Sequence, residues 1–261
     1  MSGSTADWIA AAEAAVDVAG AAIRPFFRAG VAADQKSDRS PVTIADRTAE
    51  LAMRAVLSQR FPEHGILGEE FGLDRPDARL RWVLDPVDGT RAFISGRPTF
   101  GTLIALFDGD LPIVGIIDQP VTGERWIGAR GRNTVFRGPY GGTVGCRPCP
   151  DLSLAELSCT SPEMLEGPDM ARWERLRGSV RRNYWGGDCY AYGLLALGQI
   201  DIVAERDMKG WDWGPLAPII EGAGGSVTDW DGQPLRSDGD GRVLALGDPG
   251  LLAPVRAALR E

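Results

Sequence analysis

Histidine is almost missing from this 261-residue chain, which has a single one, His64. Covalent catalysis through an imidazole and zinc centres built on histidines are therefore poorly served. His64 itself lies in Pro62-Glu63-His64-Gly65, a turn composition ahead of a strand, and is expected at the surface. Cysteine is also scarce. Four in a chain of this length cannot form a disulfide framework, which favours a reducing compartment. Cys146 and Cys149 have no second Cys or His pair beside them, so free thiols in a Pro-rich loop are expected, and Cys189 reads as a packing residue. There is no basic excess: 28 Lys and Arg against 36 Asp and Glu give a formal charge of -8. That argues against nucleic acid and against an anionic membrane surface as partners. No apolar run reaches the roughly 20 residues of a membrane span, and no internal repeat or low-complexity tract occurs.

What is present suits a globular enzyme. Hydrophobic residues make up 44% and charged residues 25%, enough to bury one or two cores and cover them. The segment Met1 to Gly30 carries Asp7, Glu13 and Asp17 where a secretory signal needs early positive charge, so a helix in a cytoplasmic protein is expected. Trp8, Ala12, Val16, Ala19, Ile23 and Phe26 recur at helical spacing, and Ser4 with Asp7 can form a capping box. A second helix follows from Ala45, Ala49, Ala52, Met53 and Val56, opened by Thr43 after Pro41 and ending near Phe61-Pro62. From about Leu80 to Phe136 short β-rich runs alternate with turn signals at Asp108-Gly109 and Thr122-Gly123, an antiparallel meander. After a loop from Gly138 to Asp151, the pattern suggests a strand at Leu157, a helix around Met164 to Leu176, another around Tyr190 to Leu197, and a strand from Ile200 to Ala204. Residues 1–137 are thus read as two helices and an antiparallel sheet, and 138–261 as an α/β part completing one integrated unit.

The chemistry concentrates in residues 82–93, Trp-Val-Leu-Asp-Pro-Val-Asp-Gly-Thr-Arg-Ala-Phe. Val83 and Leu84 have the character of a buried strand, Pro86 cannot continue its hydrogen-bond ladder, and Gly89 permits a sharp turn. Asp85 is expected at the strand end. Asp88 and Thr90 follow within one turn, where free N–H groups at a helix start can hold phosphate oxygens. Upstream, Gly68-Glu69-Glu70 follows the apolar pair Ile66-Leu67; downstream, Asp212 sits in Gly210-Trp211-Asp212-Trp213. These hard oxygen donors suit Mg2+ or Mn2+.

The order Gly68-Glu69-Glu70, then Asp85-Pro86-Val87-Asp88-Gly89-Thr90, then Trp211-Asp212 followed by Glu221-Gly222-Ala223-Gly224-Gly225, resembles the inositol monophosphatase family over essentially the whole chain. Stretches 101–107, 115–120, 124–128 and 187–193 are similar to its histidinol-phosphate phosphatase branch. The resemblance implies an α+β fold, a layered αβαβα sandwich of the inositol monophosphatase/fructose-1,6-bisphosphatase type, with the site where its parts meet. It implies two or three Mg2+ ions, with Mn2+ as a substitute. Glu69, Asp85, the Val87 carbonyl and Thr90 would surround one ion, and Asp85, Asp88 and Asp212 a second. Asp46 and Thr90 would orient and deprotonate the attacking water, and the N–H groups of Gly89 and Thr90, beside Asp88, would receive the phosphate. A homodimer and inhibition by Li+ are further implications.

Each assignment has a bland alternative. Asp46, three residues after Thr43, also fits a capping box. Glu70 could be only a solvated neighbour of Glu69. Relatives use the position of Glu205 to contact the group that carries the phosphate, yet it also reads as an exposed strand-end acid. Asp188 could simply cap the helix near Tyr190. With both facing the pocket beside Asp212, a cationic leaving group such as histidinol is favoured over a neutral polyol, and Trp185, Tyr190 and Trp211 could add aromatic contact. The expected reaction is Mg2+-dependent hydrolysis of L-histidinol phosphate, a step of histidine biosynthesis, by water rather than through a phospho-enzyme. An inositol or related sugar phosphatase, a nucleotide 3'-phosphatase and a regulatory binding protein of the same fold stay open.

Overall fold

The computed structural model describes residues 3–35 and 41–260. Helix α1 (Thr5–Ile23) opens with the expected capping box, Ser4 and Asp7 each accepting the other's N–H. A short antiparallel pair, β1 (Asp34–Gln35) and β2 (Pro41–Val42), precedes α2 (Ile44–Arg60). Next come β3 (Gly65–Gly68), β4 (Gly72–Asp74), β5 (Leu80–Asp88) and the short helix α3 (Thr90–Ile94). The antiparallel meander is formed by β5 with β6 (Gly101–Asp108), β7 (Leu111–Gln119), β8 (Glu124–Ala129) and β9 (Val135–Arg137).

In the second half, β10 (Glu156–Cys159), α4 (Pro168–Ser179), β11 (Arg182–Trp185), α5 (Asp188–Ala196) and β12 (Ile202–Glu205) alternate. They are followed by α6 (Gly210–Trp213), α7 (Leu216–Gly222), β13 (Ser226–Thr228), β14 (Val243–Leu246) and α8 (Leu252–Arg260). The first sheet runs β4-β3-β5-β6-β7-β8-β9, the second β11-β10-β12-β14-β13.

Strand alternation assembles the layers. Ile104 and Leu106 of β6 face α1 and α2, whereas Leu103, Ala105 and Phe107 face α5 and α7. In the second sheet, Val203, Val243 and Ala245 meet that same helical layer, while Ile202, Ala204 and Leu244 turn to α4 and α8. The result is the αβαβα sandwich. Burying a large apolar side chain is worth about 1.5–3 kcal/mol, against about 0–1 kcal/mol for an exposed ion pair. The seam between the sheets is therefore held by residues such as Leu103, Trp126, Tyr192 and Ile219, and the acidic side chains there are free to serve chemistry.

Two local expectations need correction. Pro86 does not end its strand: β5 runs on to Asp88, and the pairing with β6 slips by one residue between Asp85 and Asp88. His64 is not at the surface but 5% exposed, its ring stacked on Phe61 at 4.6 Å and 6.2 Å from Trp82. The end of α2 and strand β5 supply those covers, and neither is visible in the local turn composition. Among the described residues, no helix is long and apolar enough to cross a membrane.

Candidate active site

The slip in β5 builds the site. Residues three apart on a regular strand face opposite sides, so Asp85 and Asp88 would diverge. The extra residue at the bulge restores a common side. Asp85, 3% exposed, folds its Oδ1 back onto the Val87 N–H at 3.0 Å. Asp212 is brought in from α6, with one oxygen accepting the Lys209 N–H at 2.6 Å. Asp85, Asp88 and Asp212 then each offer a carboxylate oxygen within 4.8 Å of the others.

Electrostatics describes what this cluster requires. Burial raises the Asp85 carboxyl well above the ordinary range, and Glu69, Asp88 and Asp212 push in the same direction. Asp212 is raised likewise, by burial and then by Asp88. Asp88 is raised to about 7 by burial and by Asp188, although the Cys189 N–H donates to its Oδ2 at 2.8 Å. The charges acting on Asp85 are other carboxylates. Oxygen donors crowded in this way fit a hard divalent cation, which supplies the positive charge that keeps them ionised. Glu69 stands beside Asp85, its N–H donating to the Leu84 carbonyl at 3.2 Å.

Beyond Asp88 the chain turns at Gly89, whose φ of 81° is strained for any residue with a Cβ, and starts α3 at Thr90. Thr90 Oγ1 lies 3.1 Å from the Val87 carbonyl and 3.4 Å from Asp46 Oδ1. Asp46 Oδ2 meanwhile accepts the Thr43 N–H at 2.8 Å and the Thr43 hydroxyl at 2.6 Å. The capping box and the link to Thr90 coexist on one carboxylate. Burial raises its pKa, with the Thr43 hydrogen bonds opposing.

A cavity of about 930 Å³ opens over these groups, walled by Gly89, Thr90, Asp188, Tyr192, Glu205 and Asp212 among others. Glu205 is 2% exposed rather than a surface acid. Its Oε1 accepts the Thr160 N–H at 2.6 Å and its Oε2 the Tyr192 hydroxyl at 2.8 Å, partners that no local pattern announces. Asp188 does not cap α5. It packs against Gly89, and its Oδ2 accepts the Thr99 hydroxyl at 2.7 Å. Burial raises the pKa of both acids, opposed by these hydrogen bonds. Trp185, Tyr190 and Trp211 do not line this cavity: Trp185 lies tilted against Trp173, and Tyr190 meets Trp126 and donates to Glu124. The four cysteines are free thiols, and Cys189 is buried against the helical layer.

Sequence reasoning missed Glu50. This fully buried acid on α2 accepts the N–H groups of Glu70 and Phe71. Its one signal is the i, i+4 pairing with Arg54, which also fits an ordinary helix surface.

Comparison with known proteins agrees with this geometry. Residues 5–260 match the inositol monophosphatase family. The bifunctional phosphatase IMPL2, chloroplastic, of Arabidopsis thaliana is 46% identical over 226 residues, 86% of this chain but 64% of that protein's length. A histidinol-phosphatase of Chlorobaculum parvum is 36% identical over 224 residues, covering 84% of each chain. The structure of an inositol monophosphatase from Zymomonas mobilis superposes with a TM-score of 0.90 at 48% identity, covering both chains completely. With its αβαβα layers and acidic cluster, the chain belongs to the inositol monophosphatase family of phosphatases, which act on small phosphate monoesters.

Proposed function

We propose that this protein is a Mg2+-dependent histidinol-phosphate phosphatase, releasing L-histidinol and phosphate. The observation that carries the choice of substrate is the pair of buried acids on the cavity wall, Asp188 and Glu205, beside Asp88 and Asp212. Two carboxylates there favour an amine or imidazolium through charge-assisted hydrogen bonds, and offer a neutral polyol less. Relatives that carry the name histidinol-phosphatase support the reading.

Glu69, Asp85, Asp88 and Asp212 would hold the metal, with the Val87 carbonyl and Thr90 completing one side. When bound, Mg2+ neutralises phosphate charge and makes its water easier to deprotonate. The protein's own groups do the rest. Thr90 Oγ1 can pass its proton to Asp46 Oδ1 and so accept one from the attacking water. The Gly89 and Thr90 N–H groups receive phosphate oxygens at the start of α3. Asp188 and Glu205 orient the leaving group, and Tyr192 and Thr160 fix Glu205 in place.

Similarity to the Zymomonas mobilis inositol monophosphatase supports a second reading, an inositol phosphate substrate. Phosphate release from L-histidinol phosphate, inositol 1-phosphate, fructose 1,6-bisphosphate and 3'-phosphoadenosine 5'-phosphate, each with saturating Mg2+, decides between them. The highest kcat/KM is expected for L-histidinol phosphate. A preference for inositol 1-phosphate overturns the substrate assignment.

A further inference from the structure

One turn beyond Asp46 on α2, Glu50 commits both oxygens to a neighbouring turn. Its Oε2 accepts the Glu70 N–H at 2.8 Å; its Oε1 accepts the Phe71 N–H at 3.2 Å and Arg54 Nε–H at 2.7 Å. Arg54 extends the grip, donating from Nη1 to Asp74 at 2.7 Å and from Nη2 to the Gly72 carbonyl at 2.5 Å. The fit against the turn is close: a Cβ on Gly68 would stand 1.9 Å from Glu50 Oε1, so a side chain there would expel the carboxylate. On the opposite side, Glu69 is fastened to β5 through its own N–H, at the residue preceding Asp85. The segment on either side of Glu69 is thus clamped by one buried acid and its arginine.

We infer that Glu50 is a positioning residue, setting through this turn where the Glu69 carboxylate stands relative to Asp85. The inference rests on the proposed role of Glu69 as a Mg2+ ligand. Asp46 and Glu50 lie four residues apart on one stripe of α2. The same helix face therefore holds the Thr90–Asp46 pair and the Glu69 turn in a fixed relation. Stability alone is a weak reason for this arrangement, because a buried ion pair is often replaced by apolar packing without loss. Control of a ligand's placement is a stronger one, since groups that orient metal ligands commonly change affinity by about 10–100-fold.

The test is calorimetric titration of Mg2+ into wild type, Glu50→Gln, Glu69→Gln and the double variant, each shown by metal-free thermal melts to be folded. Glu50→Gln is expected to weaken Mg2+ binding roughly tenfold to a hundredfold and to add nothing further in the Glu69→Gln background. If Glu50→Gln does not fold, Arg54→Lys takes its place. It keeps a cation near Glu50 but releases Gly72 and Asp74, so it should weaken Mg2+ binding in the same Glu69-dependent way. Wild-type affinity in the folded variant, or an equal loss with and without Glu69, overturns the inference. Unchanged affinity in Glu69→Gln overturns the metal-site reading itself, which is a separate outcome.

Discussion

Asp46 divides its carboxylate between two partners: Oδ2 caps α2 through Thr43, while Oδ1 lies 3.4 Å from Thr90 Oγ1. The capping bonds fix the rotamer that aims Oδ1 at Thr90, so a stabilising contact also orients the pair assigned to proton transfer.

Substitutions on the two sides of this carboxylate should separate its roles. Asp46→Asn is expected to lower kcat by about 10²–10⁴-fold, the usual range for a lost general base, with a smaller effect on KM. Thr43→Ala removes the hydroxyl but keeps the Thr43 N–H that holds Asp46 Oδ2, so it should destabilise the protein by about 0.5–2 kcal/mol, the usual cost of a lost cap, while keeping most of kcat. Steady-state kinetics and thermal melts on both variants check this. A normal kcat in Asp46→Asn would leave only the cap.

Chelation should abolish turnover, because the donors gathered at the site are oxygens. Asp85→Asn is expected to be the most damaging ligand substitution, since Asp85 is the carboxylate on which Glu69, Asp88 and Asp212 all act. Phosphate release after EDTA treatment and Mg2+ restoration, with the Asn variants of Asp85, Asp88 and Asp212 compared, tests the point. Near-normal activity in metal-free buffer contradicts the two-ion arrangement.

The sole histidine should make stability depend on pH. Burial lowers the His64 pKa below its ordinary 6.5, with Arg75 acting in the same direction and Glu63 against it. The fold therefore prefers the neutral ring, and an unfolded chain binds more protons once the pH drops below 6.5. Stability contributed by His64 is complete above that value and declines as the pH falls through it toward the lower folded pKa. His64→Phe keeps a ring against Phe61 but cannot titrate. Its Tm should therefore gain on wild type as the pH is lowered from about 7.5 to about 5.5. Parallel curves for the two proteins would refute this.

How far the sequence foretold the molecule follows from the range of each interaction. The caps at Ser4–Asp7 and Thr43–Asp46 were legible because both partners lie within three residues. The Asp85 to Thr90 run was legible as a strand delivering acids into a helix start, although the bulge that aligns Asp85 with Asp88 depends on pairing with β6. Asp212 could be counted among the hard oxygen donors from the sequence, but its place beside Asp85 and Asp88 was implied only by the family resemblance, since more than a hundred residues intervene. His64 was misplaced because Trp82 covers it from elsewhere in the fold, and the exposed strand-end alternative for Glu205 falls because Thr160 and Tyr192, also distant in sequence, hold it inside. Glu50 was overlooked because its partners, Glu70 and Phe71, lie beyond β3, in the turn that leads to β4.

Selectivity can be tested more cleanly at Asp188 than at Glu205. Both Glu205 oxygens accept donors, from Thr160 N–H and Tyr192 OH, so Glu205→Gln sets an amide NH2 against one of them. Asp188 receives one hydroxyl donor, from Thr99, and Asp188→Asn can keep that bond through its carbonyl oxygen while removing the charge. A hydrogen bond to a charged group contributes about 1.5–3 kcal/mol. The kcat/KM for L-histidinol phosphate should therefore fall roughly tenfold to a hundredfold in Asp188→Asn, and that for inositol 1-phosphate much less. Tyr192→Phe, which leaves Glu205 charged but less restrained, should also cost L-histidinol phosphate more than inositol 1-phosphate, by less than Asp188→Asn does. Equal losses for the two substrates in Asp188→Asn would mean that the acid supports the Gly89 turn rather than the leaving group, and the preference for a cation would then have to reside in Glu205.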